Sequence, residues 1–121
     1  MYSNASKARL LTNLSNATRL EMLSLMTKRE VSVGELCSKM TISQSAVSQH
    51  LAKLRSEGLV STRRKSQIVY YTCTNVGVHR VLNLLDEIFS PEFAAKNMYV
   101  FKDTTTKVEA KLDSRHLARD R

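Results

Sequence analysis

Segment 33–57 constrains this chain most, because it places two short amphipathic helices three residues apart. In the first, Val33, Leu36, Cys37 and Met40 recur at i, i+3, i+4 and i+7, which is one face of a helix. Ser32-Val33-Gly34-Glu35 has the S-x-x-E form of a capping box, which starts that helix. In the second, Ser43 is the N-cap, and Ile42 with Val47 forms a hydrophobic staple across it. Val47, Leu51 and Leu54 continue as a single buried stripe. Thr41-Ile42-Ser43 leaves room only for a tight turn, so the pair reads as a helix-turn-helix.

The outer face of the second helix, residues 43–57, has an unusual chemistry. Opposite the stripe lie Ser45, Gln49, Ala52 and Ser56, with Ser48 at the edge. A helix that needed only solubility would carry Glu and Lys there. Small, uncharged, hydrogen-bonding side chains suit close approach to a partner with its own donors and acceptors. The charge balance says which partner. Lys and Arg number 19 against 11 Asp and Glu, a net charge of +8 on 121 residues. Such a field favours polyanions, either nucleic acid or an acidic membrane surface. No apolar run approaches the ~18 residues of a membrane span.

Around this motif the chain supplies support. Leu10, Leu11 and Leu14 share one face of a first helix, and Asn16 caps a second containing Leu20, Leu23 and Met26. Gly58 ends the 43–57 helix at its C′ position. Two β-rich runs follow, Leu59 to Thr62 and Ile68 to Cys73, joined by the basic connection Arg63-Arg64-Lys65-Ser66-Gln67. They form a hairpin wing over residues 61–72 with the three cations at its tip. Alternation points Val69, Tyr71 and Cys73 inward, and Ile68 and Tyr70 outward. Val78, Val81, Leu82, Leu85, Ile88 and Phe89 then make a last helix, stopped near Ser90-Pro91. Its apolar stripe is wider than a peripheral helix needs, which points to subunit contact, the alternative being that the helix simply caps the core.

The expected fold is α+β and mainly helical, a winged helix-turn-helix of four helices, two strands and a fifth helix. Residues 1–90 form the domain. Residues 91–121 form a C-terminal extension, partly disordered, in which Met98-Tyr99-Val100-Phe101 is a short apolar run. No nucleophile–base pair, carboxylate cleft or phosphate-cradling glycine loop appears, and there are only three Gly, so an enzyme is not expected. The Met1–Lys7 stretch lacks a signal peptide's apolar region, and two cysteines do not suggest a disulfide scaffold. A cytoplasmic, nucleoid-associated protein is expected.

On double-stranded DNA, the helix would enter the major groove, roughly 12 Å wide. Gln49 can make a bidentate contact to adenine, and Ala52 can touch a thymine methyl. Ser45 and Ser48 are short enough to lie near the same bases. Gln44 reads a base edge or holds a phosphate, and His50 packs or meets a phosphate, with a base contact as its lesser alternative. Lys53, Arg55, Arg63, Arg64 and Lys65 would hold the backbone or the adjacent minor groove. The alternative is a winged-helix module turned to protein or RNA.

Several runs together carry a family resemblance: Leu14-Ser15-Asn16-Ala17-Thr18-Arg19-Leu20, Val33-Gly34-Glu35-Leu36, Ser43 to Leu51, Leu54-Arg55, Gly58-Leu59-Val60 and Arg63-Arg64. The chain resembles the ArsR/SmtB family of bacterial regulators over roughly residues 8–90, most of all its NolR/HlyU-like branch. The resemblance implies a homodimer joined through Leu10, Leu11 and Leu14 of the first helix and Val78, Val81, Leu82, Leu85, Ile88 and Phe89 of the last. It implies an imperfect palindromic operator and, usually, repression.

Many relatives sense a metal. Cys37 lies near the family's thiolate site, but Ser32 and Gly34 stand where further thiols are wanted, and a soft-metal site needs three or four ligands. On the last helix Asn75 and Gly77 occupy the positions expected for Asp and His, leaving His79, Asp86 and Glu87 without the right spacing. A thiol pair is also wanting, since Ser24 lies where the earlier cysteine would fall. Cys37 and Cys73 read as small buried hydrophobes. No metal or other cofactor is expected, and no effector is legible.

Overall fold

The first unit of the chain is built around core-facing helices and a small sheet. The computed structural model describes residues 2–96. Along the chain run α1 (Asn4–Leu14), α2 (Ala17–Met26), β1 (Val31–Ser32), α3 (Val33–Lys39), α4 (Gln44–Ser56), β2 (Ser61–Lys65), β3 (Ile68–Thr72), α5 (Val76–Ile88) and α6 (Pro91–Lys96). The backbone divides into two units, Met1–Leu84 and Leu85–Arg121. Within the first, Met22, Leu23, Met26, Val31, Leu36, Val47, Leu54 and Val78 are fully buried and Leu51 nearly so. They come from α2, β1, α3, α4 and α5, so the helix-turn-helix is buried on one side only.

Each helix start in that unit up to α4 is a hydroxyl or amide cap. Ser3 accepts from the Ser6 N–H, Asn16 from Arg19, Ser32 from Glu35 and Ser43 from Ala46. Such caps contribute about 1 kcal/mol each. The capping box at α3 is half used, because the Glu35 carboxylate is taken by Arg29. At the other end of α4 the chain closes with a Schellman motif. The Leu59 N–H donates to the Leu54 carbonyl at 2.9 Å, and Gly58 to Arg55 at 3.0 Å. Gly58 carries φ +76° to make this possible.

The sheet has three strands in the order β1-β3-β2, where the sequence reading had two. Val31 pairs with Tyr71 and Ser32 with Tyr70, both antiparallel. A two-residue strand carries no alternation to detect, and Ser32 also serves as the cap of α3. The hairpin register runs from Ser61 opposite Thr72 to Lys65 opposite Ile68. The turn is therefore Ser66-Gln67, with Ser66 at φ 57°. This corrects the expected wing tip: Arg63, Arg64 and Lys65 lie within β2, so alternation sends Arg64 to the face opposite Arg63 and Lys65.

In the second unit, Ser90-Pro91 does more than stop a helix. Ser90 Oγ accepts from the Phe93 N–H at 3.2 Å and Pro91 begins α6, a use of Pro in the first turn that needs no donor. The expected extension beyond residue 96, including the 98–101 run, lies outside the described residues.

Gly58→Ala isolates the cost of the α4 C-terminus, because a Cβ there meets nothing within 4 Å. The left-handed backbone alone should cost about 1–2 kcal/mol. Urea unfolding followed by circular dichroism should show a lower midpoint at unchanged slope.

Candidate nucleic-acid interface

Burial of Val47, Leu51 and Leu54 sets the rotation of α4, and that rotation exposes Gln44, Ser45, Ser48, Gln49, Ala52 and Ser56 together. The sequence-expected reading face is thus assembled on one surface. Ser43 and Ser45 share a hydroxyl contact of 3.1 Å at its start. Lys53 and Arg55 are both exposed and, at 100° per residue, leave the helix on opposite edges of that face. His50 is half-buried. Burial first, and the Arg19 charge second, hold its imidazole below the usual histidine pKa, which favours the neutral form. Packing is the role its position supports.

Opposite charges are sorted around this face. Glu57, at the C-terminal end of α4, is gripped bidentately by Arg9 of α1 at 2.7 and 2.8 Å, and Asn13 adds a third donor at 3.2 Å. Glu30, just before β1, is gripped by Arg63 of β2 at 2.8 and 2.7 Å. Arg29 takes Glu35. Hydrogen bonding by the arginine is the main cause holding all three carboxyls below their ordinary pKa. These three carboxylates are therefore already satisfied. Among the described residues, no carboxylate pairs with Lys53, Arg55, Arg64 or Lys65.

Arg63 departs from its expected part. Its guanidinium binds Glu30 and lies over the Tyr70 ring, 5.2 Å from the centroid. The sequence placed it among the backbone-contacting cations; its geometry ties the wing to the segment before β1. Tyr71 departs too. Instead of entering the core it is half-buried and, with Ser48, Ala52, Arg55 and Ser56, lines a cleft of about 420 Å³ between α4 and β3. Alternation alone could not reveal this, because the inner face of a short hairpin can meet a neighbouring helix edge as well as a core.

The expected dimer surface also needs correction. Leu14, Val78 and Leu82 are 4%, 0% and 8% exposed, so they belong to the protomer interior. The apolar arc of α5 is wide enough to serve two purposes: Val78 and Leu82, four residues apart, turn inward, whereas Leu84 is 52% exposed. Leu11 is exposed on α1, and Leu10 and Val81 are half-buried. In the second unit Leu85 and Ile88 are half-buried and Phe89 is exposed. Leu84 was missed by the sequence reading, which followed a single stripe. Cys73 is buried, and burial pushes its thiol pKa up, away from the reactive thiolate. Cys37 is half-buried. Among the described residues, no three His, Cys, Asp or Glu side chains gather as a metal site would require.

Comparison with known proteins agrees with this geometry. Residues 16–62 match the family model described as bacterial regulatory protein, arsR family. The transcriptional activator HlyU of Vibrio cholerae is 44% identical over 90 residues, 74% of this chain and 83% of that protein. The chain belongs to the ArsR family. Nodulation protein NolR of Rhizobium meliloti is 42% identical over 70% of each chain. Crystallised NolR from Sinorhizobium fredii superposes with TM-score 0.66 at 44% identity, covering 69% of this chain and 83% of that one. The repressor BigR from Xylella fastidiosa gives 0.68 at 36% identity, over 72% and 89%. This ArsR-family chain is a DNA-binding transcriptional regulator with a winged helix-turn-helix fold. No helix among the described residues is long and apolar enough to cross a membrane.

The captured carboxylates make folding of this ArsR-family protein acid-sensitive in a defined window. A carboxyl whose folded pKa is depressed contributes its full stability above the ordinary Glu value of 4.5 and loses it as pH falls through the lower folded value. Wild-type urea midpoints should therefore fall as pH drops below about 4.5. Glu57→Gln should flatten that fall in a pH series of denaturation curves.

Proposed function

We propose that the protein is a homodimeric repressor that binds an imperfect palindrome, with α4 in the major groove and the β2–β3 wing along the backbone and minor groove. The observation that carries this reading is the uncharged, small-residue face of α4 set among Lys53, Arg55, Arg64 and Lys65, none of which forms a salt bridge among the described residues. Short side chains let the helix backbone approach the base edges, and the cations neutralise phosphates on either side. Gln49 reads adenine N6 and N7; Gln44, Ser45 and Ser48 complete the reading surface, and Ala52 meets a thymine methyl. Arg63 serves the site by holding the wing in place.

One recognition helix contacts too few base pairs for a unique site, and two-fold pairing of protomers supplies a second half-site about one DNA turn away. Exposed Leu11 and Leu84, with half-buried Leu10 and Val81, support a subunit contact made by α1 and α5. Repression is favoured by simple occupancy of a promoter, and BigR is a repressor while HlyU carries the name of an activator. The protein would act beside the chromosome, in the cytoplasm. Cys37 and Cys73 fill space, so oxidant should leave DNA binding of a Cys37→Ala/Cys73→Ala protein and of wild type alike.

Fluorescence anisotropy on DNA upstream of the protein's own reading frame tests the reading. Gln49→Ala should weaken the specific site by about 1–3 kcal/mol and mixed-sequence DNA hardly at all. Arg64→Ala should weaken both alike and reduce the salt slope by about one. An unchanged operator affinity in Gln49→Ala would show that α4 does not read bases in this way. Leu84→Glu should convert dimer to monomer in sedimentation velocity, with little change in the urea midpoint of the protomer.

A further inference from the structure

A protein element in the major groove and another on the adjacent minor groove are separated by one sugar–phosphate strand. With α4 in the first position and the wing in the second, that strand must cross the space between helix and hairpin. The cleft lined by Ser48, Ala52, Arg55, Ser56 and Tyr71 occupies that space. Its volume of about 420 Å³ is ample for a phosphodiester group.

The lining chemistry matches such an occupant. Arg55 is exposed and has no carboxylate partner among the described residues. The hydroxyls of Ser48 and Tyr71 have no partner within the described residues and so remain available as donors. Ser56 differs, because its hydroxyl donates to the Lys53 carbonyl at 2.9 Å. Together with Ala52 it contributes smallness, which lets a backbone strand settle against the helix. Among the described residues, no acidic side chain lines the cleft to repel it. Tyr71 sits in the middle strand, opposite Val31 on one side and Thr62 on the other. Its backbone is thus fixed on both edges, and little freedom is lost when the phenol makes a contact.

We infer that Arg55 and Tyr71 jointly clamp one DNA phosphate in the cleft between α4 and β3, with Tyr71 a DNA-contacting residue supplied by the sheet. The inference rests on the assignment of α4 and the wing to DNA, and adds a neutral contact that the pattern of basic residues does not reveal. The two groups act through different physics. Arg55 neutralises charge and so releases counterions, whereas a phenol hydrogen bond releases none.

The test uses the full chain and a labelled mixed-sequence duplex of about 30 base pairs, long enough to span two half-sites. Anisotropy is measured across a KCl series for wild type, Arg55→Gln, Tyr71→Phe and the double variant. Arg55→Gln should lower the slope of log K against log salt by about one. Tyr71→Phe keeps the ring and its packing, and should weaken binding roughly three- to tenfold with an unchanged slope. Because one phosphate is shared, the double variant should lose less than the product of the two single losses. Wild-type affinity in Tyr71→Phe, an unaltered slope in Arg55→Gln, or fully multiplicative losses would each overturn the clamp while leaving DNA binding intact. Failure of wild type to bind the duplex at any salt would instead remove the assignment on which the clamp rests.

Discussion

Burial of the Val47, Leu51 and Leu54 stripe is the constraint on which the rest of this protein depends. All three side chains are 1% exposed or less, so α4 cannot roll about its axis without opening the core. Rotation of that helix decides what the outside presents. Ser43 fixes where the helix begins and Gly58 where it ends, so its position along the axis is fixed as well as its rotation. A surface proposed to read DNA by mostly short side chains tolerates little looseness in the backbone beneath it. The core of α4 therefore acts as the alignment device for Gln49 and its neighbours.

Electrostatics complete the arrangement by subtraction. Arg9, Arg29 and Arg63 each hold a glutamate, while Lys53, Arg55, Arg64 and Lys65 form no salt bridge among the described residues. Exposed ion pairs add little to stability on average. Their greater effect here is on the field, because three carboxylates near the reading surface are already compensated. Arg9 with Glu57, and Arg63 with Glu30, also join segments far apart in sequence, one at each flank of the helix-turn-helix.

Much of this is legible in the sequence itself. The spacing of Val33, Leu36, Met40, Val47, Leu51 and Leu54, with Ser32 and Ser43 as caps, specified two helices and the face each buries. Local chemistry governs such features, so sequence carries them. The Ser45, Ser48, Gln49 face followed from the same periodicity. What escaped depended on tertiary partners. Strand β1 is too short for a pattern and exists because Val31 and Ser32 meet Tyr71 and Tyr70. The fate of Arg63 depended on Glu30, thirty-three residues away. Leu14, Val78 and Leu82 looked like interface because a wide apolar arc does not declare which half is covered from within. Tyr71 looked like core because the position of a helix edge beside it cannot be read from alternation.

The outer face of α4 has one more consequence, for how this protein can change over generations. Gln44, Ser45, Ser48 and Gln49 are exposed and are absent from the core, while the residues that hold the fold are absent from the reading surface. Exchanges at the first set leave folding nearly untouched, since surface substitutions commonly shift stability by about 0.5 kcal/mol or less. With α4 reading DNA as proposed, such a division would let duplicated copies of the gene drift toward new operators without first losing the scaffold. Heritable variation in target choice is, for this architecture, almost free of a folding penalty.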